Sequence, residues 1–201
     1  MYASSASSYL SRARRELESG AVDHLFYAAF ELRAGIEARL QEYLENADDV
    51  PSGRKRDWRI AILGISVDRA FAFSKVARVQ IREAASRAVR VALFYTPVSK
   101  ELQKLGMKLG DYLHAVPFRP PEDEWWGRLR TNVEVGCHLL EEATFGQLLG
   151  PPLQNKRTGL LHLPMELPPG KSAADITVKG ESVVLEISYH ESLADARGDA
   201  A

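Results

Sequence analysis

Residues 23–46, DHLFYAAFELRAGIEARLQEYLEN, run for several helical turns without a proline. Leu25, Ala29, Leu32, Ile36, Leu40 and Tyr43 recur at helical spacing and form one broad apolar stripe. A stripe that wide must be covered by other elements, so this segment reads as the central helix of a bundle. At about 100° per residue, Arg33 and Glu37 fall on the edge of the stripe, beside Phe26, Phe30 and Leu44. A charged pair one turn apart among aromatic residues is either a partly buried ion pair or part of a site.

The flanking sequence supplies the partners. Residues 5–19 predict a first helix, with Tyr9, Leu10, Ala13 and Leu17 as its stripe, a serine cap and Gly20 as its end. The connector is short, so the two helices should be antiparallel neighbours, with Asp23 as the N-cap of the second. An acidic turn near Pro51 and a basic exposed loop over residues 52–56 follow. Residues 58–67, WRIAILGISV, fit either a short strand or a helix interrupted by Gly64. Residues 68–95 read as a second long helix, with Phe73, Ala77, Ile81, Ala84, Ala88 and Val91 on one face. Lys75, Arg78, Arg82, Arg87 and Arg90 spread over the other.

Pro97 breaks that helix, and Ser99 starts another whose stripe is Leu102, Leu105, Leu109, Tyr112 and Leu113. Gly106, Gly110 and His114 stand at i, i+4 and i+8 along its edge. Mid-helix glycines cost about 1 kcal/mol each relative to alanine, which points to close packing or to ligand access. Pro117, Pro120 and Pro121 make a rigid connector, and Glu122, Asp123 and Glu124 open a last helix of about 25 residues. Its Cys137 reads as a core residue, since no neighbouring sequence argues for an activated thiol. Beyond Pro152 the pattern becomes short and β-branched, over residues 160–167, 174–178 and 182–189, with a hairpin around Gly180.

The expected fold is therefore mainly α, an antiparallel helical bundle with a small C-terminal β appendage, α+β overall. Its expected division is serial: residues 1–117 the bundle, 118–150 a connector and packing helix, 151–190 the β appendage, and 191–201 a disordered tail.

Composition is that of an ordinary globular chain, 45% hydrophobic and 26% charged over 201 residues. One cysteine rules out an internal disulfide and a cysteine-based zinc site. No signal peptide or membrane span is visible, so a cytoplasmic protein is expected. The net charge of −1 hides an uneven spread: residues 54–108 carry 13 Lys and Arg against 4 Asp and Glu. Such a segment attracts phosphates if its charges share a face; otherwise it is a solvated surface.

Several chemistries find no motif. There is no Gly-x-x-x-x-Gly-Lys loop, no Gly-x-Gly-x-x-Gly turn and no Gly-x-Ser-x-Gly elbow. His24, His114, His138, His162 and His190 make no His-Glu-x-x-His pair, so neither a metal nor another cofactor is expected.

YAAFELRAGIEARL (27–40) together with KLGDYLHA (108–115) resembles bacterial helical proteins of the HEPN type (higher eukaryotes and prokaryotes nucleotide-binding) over residues 5–115. The resemblance implies antiparallel helices, an RNA or nucleotide partner, a homodimer, and a setting such as toxin–antitoxin systems or phage defence. Many members are metal-independent ribonucleases with an arginine, a polar residue, and a histidine about five positions after the arginine. His114 matches the histidine, but Leu109 stands where the arginine would be and Gly110 where the polar residue would be. In such a site the imidazole moves a proton at the 2′-hydroxyl while the arginine steadies the phosphate. Leu109 cannot, which leaves Arg33 as the substitute cation.

Two functions follow as expectations. The first is a protein that binds RNA or nucleotides, non-catalytic or a degenerate metal-independent endoribonuclease. His114 and Arg33 would be its catalytic pair, and Glu37, Asp111, Lys75, Arg78 and Arg82 its substrate-binding residues. The second is a helical scaffold whose β appendage docks a protein partner through an exposed strand edge. A small-molecule enzyme with a pocket between helices is a third.

Overall fold

The computed structural model describes residues 3–47, 50–71, 74–114, 122–154, 161–165 and 182–198. The protein is mainly helical, with a small three-stranded antiparallel sheet. The helices are α1 (Ala6–Glu18), α2 (Val22–Glu45), α3 (Ser52–Lys55), α4 (Ile60–Phe71), α5 (Lys100–Leu113), α6 (Asp123–Phe145) and α7 (Leu193–Arg197). The strands are β1 (Val76–Glu83), β2 (Val89–Tyr95), β3 (Leu153–Gln154), β4 (Leu161–His162) and β5 (Val183–His190). The chain forms two compact units, a helical one from residues 1–72 and 98–144, and a sheet one from residues 73–97 and 145–201.

In the helical unit α2 is the centre. Leu25, Ala29, Leu32, Ile36, Leu40 and Tyr43, the whole stripe expected from the sequence, are buried. Burying each large side chain contributes about 1.5–3 kcal/mol before entropy is counted. α1 runs antiparallel to α2: the Ala6 amide donates to Glu42 at 2.8 Å, Arg12 meets Glu31 at 2.8 Å, and His24 meets Glu16 at 2.7 Å. Ser5 caps α1, and Gly20 follows it in the left-handed region with φ 74°. The N-cap of α2 is Ala21, not Asp23, which lies in the first turn where its charge still suits the helix dipole.

Residues 52–55 of the expected basic loop form one helical turn, and residues 60–71 settle as helix. Gly64 does not break α4, and the amide of the buried Gln103 occupies the space a side chain there would need. Ser99 caps α5 as expected, accepting from the Leu102 amide at 3.1 Å.

Arg14 donates to both Glu141 carboxylate oxygens, at 2.9 and 2.6 Å, tying α1 to α6. That bidentate hydrogen bond holds the Glu141 carboxyl below its ordinary value. A carboxyl depressed in the folded state stabilises above its unfolded pKa, and the gain is lost as pH falls through the folded value. Glu141→Gln should therefore lower the urea midpoint at neutral pH and make little difference near pH 3. A difference that persists undiminished in acid would contradict this.

The sheet unit corrects the sequence reading most. Residues 68–95 are not one helix: α4 ends at Phe71, and β1 and β2 form an antiparallel hairpin. Val76, Val79, Ile81, Val89 and Val91 are β-branched, and Ala77, Val79 and Ile81 are buried on alternate positions. The turn between the strands, AASRA (84–88), contains no glycine, proline or asparagine to announce it. Arg87 takes the positive φ of 60° itself, and Glu83 exchanges backbone hydrogen bonds with Ala88 and Arg87 at 3.0 and 2.9 Å. β5 pairs antiparallel with the other edge of β1, Val79 opposite Ile187, giving the order β2-β1-β5.

The chain divides into interleaved units where a serial division was expected, because two of the sheet's three strands come from the middle of the chain. The expected strand over residues 182–189 exists, whereas residues 174–178 and the turn around Gly180 lie outside the described residues. The expected disordered tail begins instead with a helix. Ser192 accepts from the Asp195 amide at 3.1 Å, Gly198 closes α7 at φ 81°, and Ala196 is buried with Val76 and Phe94. Among the described residues no helix is long and apolar enough to cross a membrane.

Candidate functional site

The residues singled out by sequence divide between the two units. Arg33, Glu37, Asp111 and His114 belong to the helical unit, and Lys75, Arg78 and Arg82 to the sheet unit. The latter three sit at and within β1, not on a helix leading to a cleft. Lys75 pairs with Glu191 at 2.5 Å and Arg82 with Glu186 at 2.7 Å. Arg78 donates to the Ala196 carbonyl at 3.1 Å, at the end of α7. Each is engaged in holding the sheet unit together.

In the helical unit Arg33 and Glu37 face each other one turn apart, Nη2 to Oε1 at 3.1 Å, at an angle that makes no hydrogen bond. Arg33 Nε and Glu37 Oε1 are shielded from solvent and carry no hydrogen bond. Burial pushes the Glu37 carboxyl above its ordinary value, and the Arg33 charge only partly opposes it. Arg33 reaches α5: a methyl at Gly110 would lie 3.7 Å from its Nε. The last turn of α5, carrying exposed Asp111 and ending at exposed His114, therefore begins beside the Arg33 side chain.

The two α5 glycines have different reasons. A methyl at Gly106 would meet Ile60 Cδ1 at 2.6 Å and Ile36 Cδ1 at 3.0 Å, so this glycine permits close packing. Gly110 faces only Arg33 and leaves open space. Gly110→Ala should raise stability by up to about 1 kcal/mol through helix propensity. Gly106→Ala should lower it by about 1–3 kcal/mol through overpacking of two buried isoleucines. Urea denaturation of the pair checks the opposite signs.

The sequence did not point to Trp58. It is 65% exposed, and the Arg33 guanidinium lies 6.0 Å from its ring centroid, within cation–π range. Both neighbours pin it. Asp57 accepts from the Arg59 amide at 2.8 Å and from its guanidinium at 3.0 and 2.7 Å, which draws the Asp57 carboxyl down to about 2. The Asp57 carbonyl accepts from Gln41 of α2 at 3.1 Å. Arg54 and Arg56, both exposed, precede it. Its only signal in the sequence was a tryptophan inside the charged run RKRDWR, which the apolar residues after it obscured. On the same edge of α2, Phe30 is 57% exposed.

Leu109, at the position of the missing motif arginine, is fully buried. Cys137 is buried as expected, and burial pushes its thiol up to about 11, far from a thiolate at neutral pH. Among the described residues no group of three or more His, Cys, Asp or Glu side chains could hold a metal ion.

The arrangement can accept a flat, anionic ligand: an exposed indole, an arginine beside it, and further cations on the adjoining turn. No family model, no curated protein and no solved structure matches the chain.

Proposed function

We propose that this is a HEPN-like protein whose helical unit binds single-stranded RNA or nucleotides at the Arg33–Trp58 surface without cleaving them. The exposure of Trp58 over Arg33 carries this reading. An apolar ring of that size is left in solvent at the end of a basic turn, where bases stack on aromatics while cations meet phosphates. Burial of Leu109 argues against cleavage, because the position that would steady the transition-state charge points into the core. A toxin–antitoxin or phage-defence setting and a homodimer belong to the same proposal, and rest on the resemblance alone.

Fluorescence anisotropy with a short labelled single-stranded RNA at low salt tests it. Trp58→Ala should weaken binding by about 5- to 150-fold, the equivalent of about 1–3 kcal/mol of stacking. Affinity should fall as salt rises. Absence of binding at low salt, or binding indifferent to Trp58→Ala, would sink the proposal. Cleavage in EDTA that His114→Ala abolishes would replace it with a degenerate but active ribonuclease.

A protein-docking scaffold is the second reading. Val183, Leu185 and Tyr189 lie on one face of β5 and are each about half exposed. Their exposure favours a partner at the sheet unit. Under that reading Leu185→Asp, not Trp58→Ala, abolishes the biological activity.

A further inference from the structure

On α2 two buried hydrogen-bonding demands lie one turn apart, and they are complementary. Arg33 Nε is a buried donor without an acceptor, and Glu37 Oε1 is a buried acceptor without a hydrogen-bond donor. Buried polar atoms in folded proteins are nearly always paired, so two orphans one helical turn apart call for an explanation. Elsewhere in this unit the buried Arg39 is better served, donating to Ala143 and Glu42. The orphaned pair also sits where a ligand could meet it. Both side chains keep part of their surface open, Trp58 flanks the guanidinium, and Gly110 leaves room opposite.

We infer that the Arg33–Glu37 pair reads the Watson–Crick edge of an unpaired guanine stacked on Trp58. The inference rests on the RNA-binding reading above and assigns the base that this same surface prefers. Guanine presents O6 as an acceptor, then N1–H and the N2 amino group as two adjacent donors. Arg33 donates to O6, while the two oxygens of Glu37 accept from N1–H and N2–H. Adenine and cytosine each offer one amino donor beside a ring nitrogen that repels a carboxylate, and uracil offers one N–H between two carbonyls. Only guanine gives both carboxylate oxygens a donor. A desolvated carboxylate gains more from such donors than a solvated one, in keeping with the direction in which burial moves Glu37. The exposed Trp58 ring turns about its own side-chain torsions to admit the base, while its backbone stays held through Asp57 and Gln41.

The test is binding of four short oligouridines carrying guanine, inosine, adenine or uracil at one central position. Discrimination by a bidentate base contact is worth about 1–3 kcal/mol, so guanine should bind about 5- to 150-fold tighter than adenine. Inosine, which lacks the N2 amino group, should fall between them. Glu37→Gln should erase the guanine preference, bringing the guanine-to-adenine affinity ratio down to about one. Circular dichroism checks that the variant remains helical, and Glu37→Asp, which keeps the carboxylate, should keep some preference. Equal binding of all four oligonucleotides overturns the guanine assignment and leaves RNA binding standing. Uniform weakening by Glu37→Gln also overturns it, since a structural ion pair would do that. Failure of every oligonucleotide to bind overturns both.

Discussion

Leu109→Arg, which would place an arginine five residues before His114, should unfold the helical unit instead of conferring ribonuclease activity. Leu109 is fully buried on α5, a helix in contact with α2. A guanidinium there would lose its hydration. The effective penalty for burying an unpaired ion is several kcal/mol, and the lost leucine contact adds about 1.5–3 kcal/mol. Together these approach the whole stability of an ordinary domain, about 5–15 kcal/mol. The variant should be insoluble or melt at least about 10 °C lower by circular dichroism, whereas Leu109→Met should cost less than about 1.5 kcal/mol. A Leu109→Arg protein with wild-type melting would mean that the position opens to solvent, and the case against catalysis would fall with it.

The helices α1, α2, α5 and α6 were legible because their stripes are long. The α2 stripe, Ser99 and the acidic start of α6 each gave a local signal that tertiary contacts reinforced. The β1–β2 hairpin was not legible for a specific reason. Arginine and alanine filled it with good helix formers, and its turn placed an arginine, not a glycine, in the left-handed region. The third strand of that sheet arrives about a hundred residues later, a pairing that no local window can contain. At the candidate site Arg33 and Glu37 were legible by helical phase alone. Trp58 was hidden, since a tryptophan before an apolar run looks like core until both its neighbours are seen tied back by Asp57 and Gln41.

The same helical phase hid a more deeply buried charge. Arg39 is only 3% exposed, yet it sits on the apolar side of α2 between Ile36 and Tyr43. Its Nε donates to the Ala143 carbonyl near the end of α6 at 2.9 Å, and its Nη1 to Glu42 at 3.0 Å. Its guanidinium lies 4.6 Å from the Tyr43 ring centroid. Glu42 in turn accepts from the Ala6 amide at the start of α1. One arginine thus joins the last turn of α6 to the first turn of α1 through α2. Arg39→Ala should cost about 3–5 kcal/mol, because it opens a cavity and strips Glu42 of its cation. Arg39→Met keeps most of the volume and should cost less. Arg39→Met combined with Glu42→Gln should recover further, since the neutral amide still accepts from Ala6 and no unpaired charge remains. Chemical denaturation of the three variants separates volume from charge. If the double variant is less stable than Arg39→Met alone, the Glu42 charge is stabilising without its arginine, and Arg39 acts through packing.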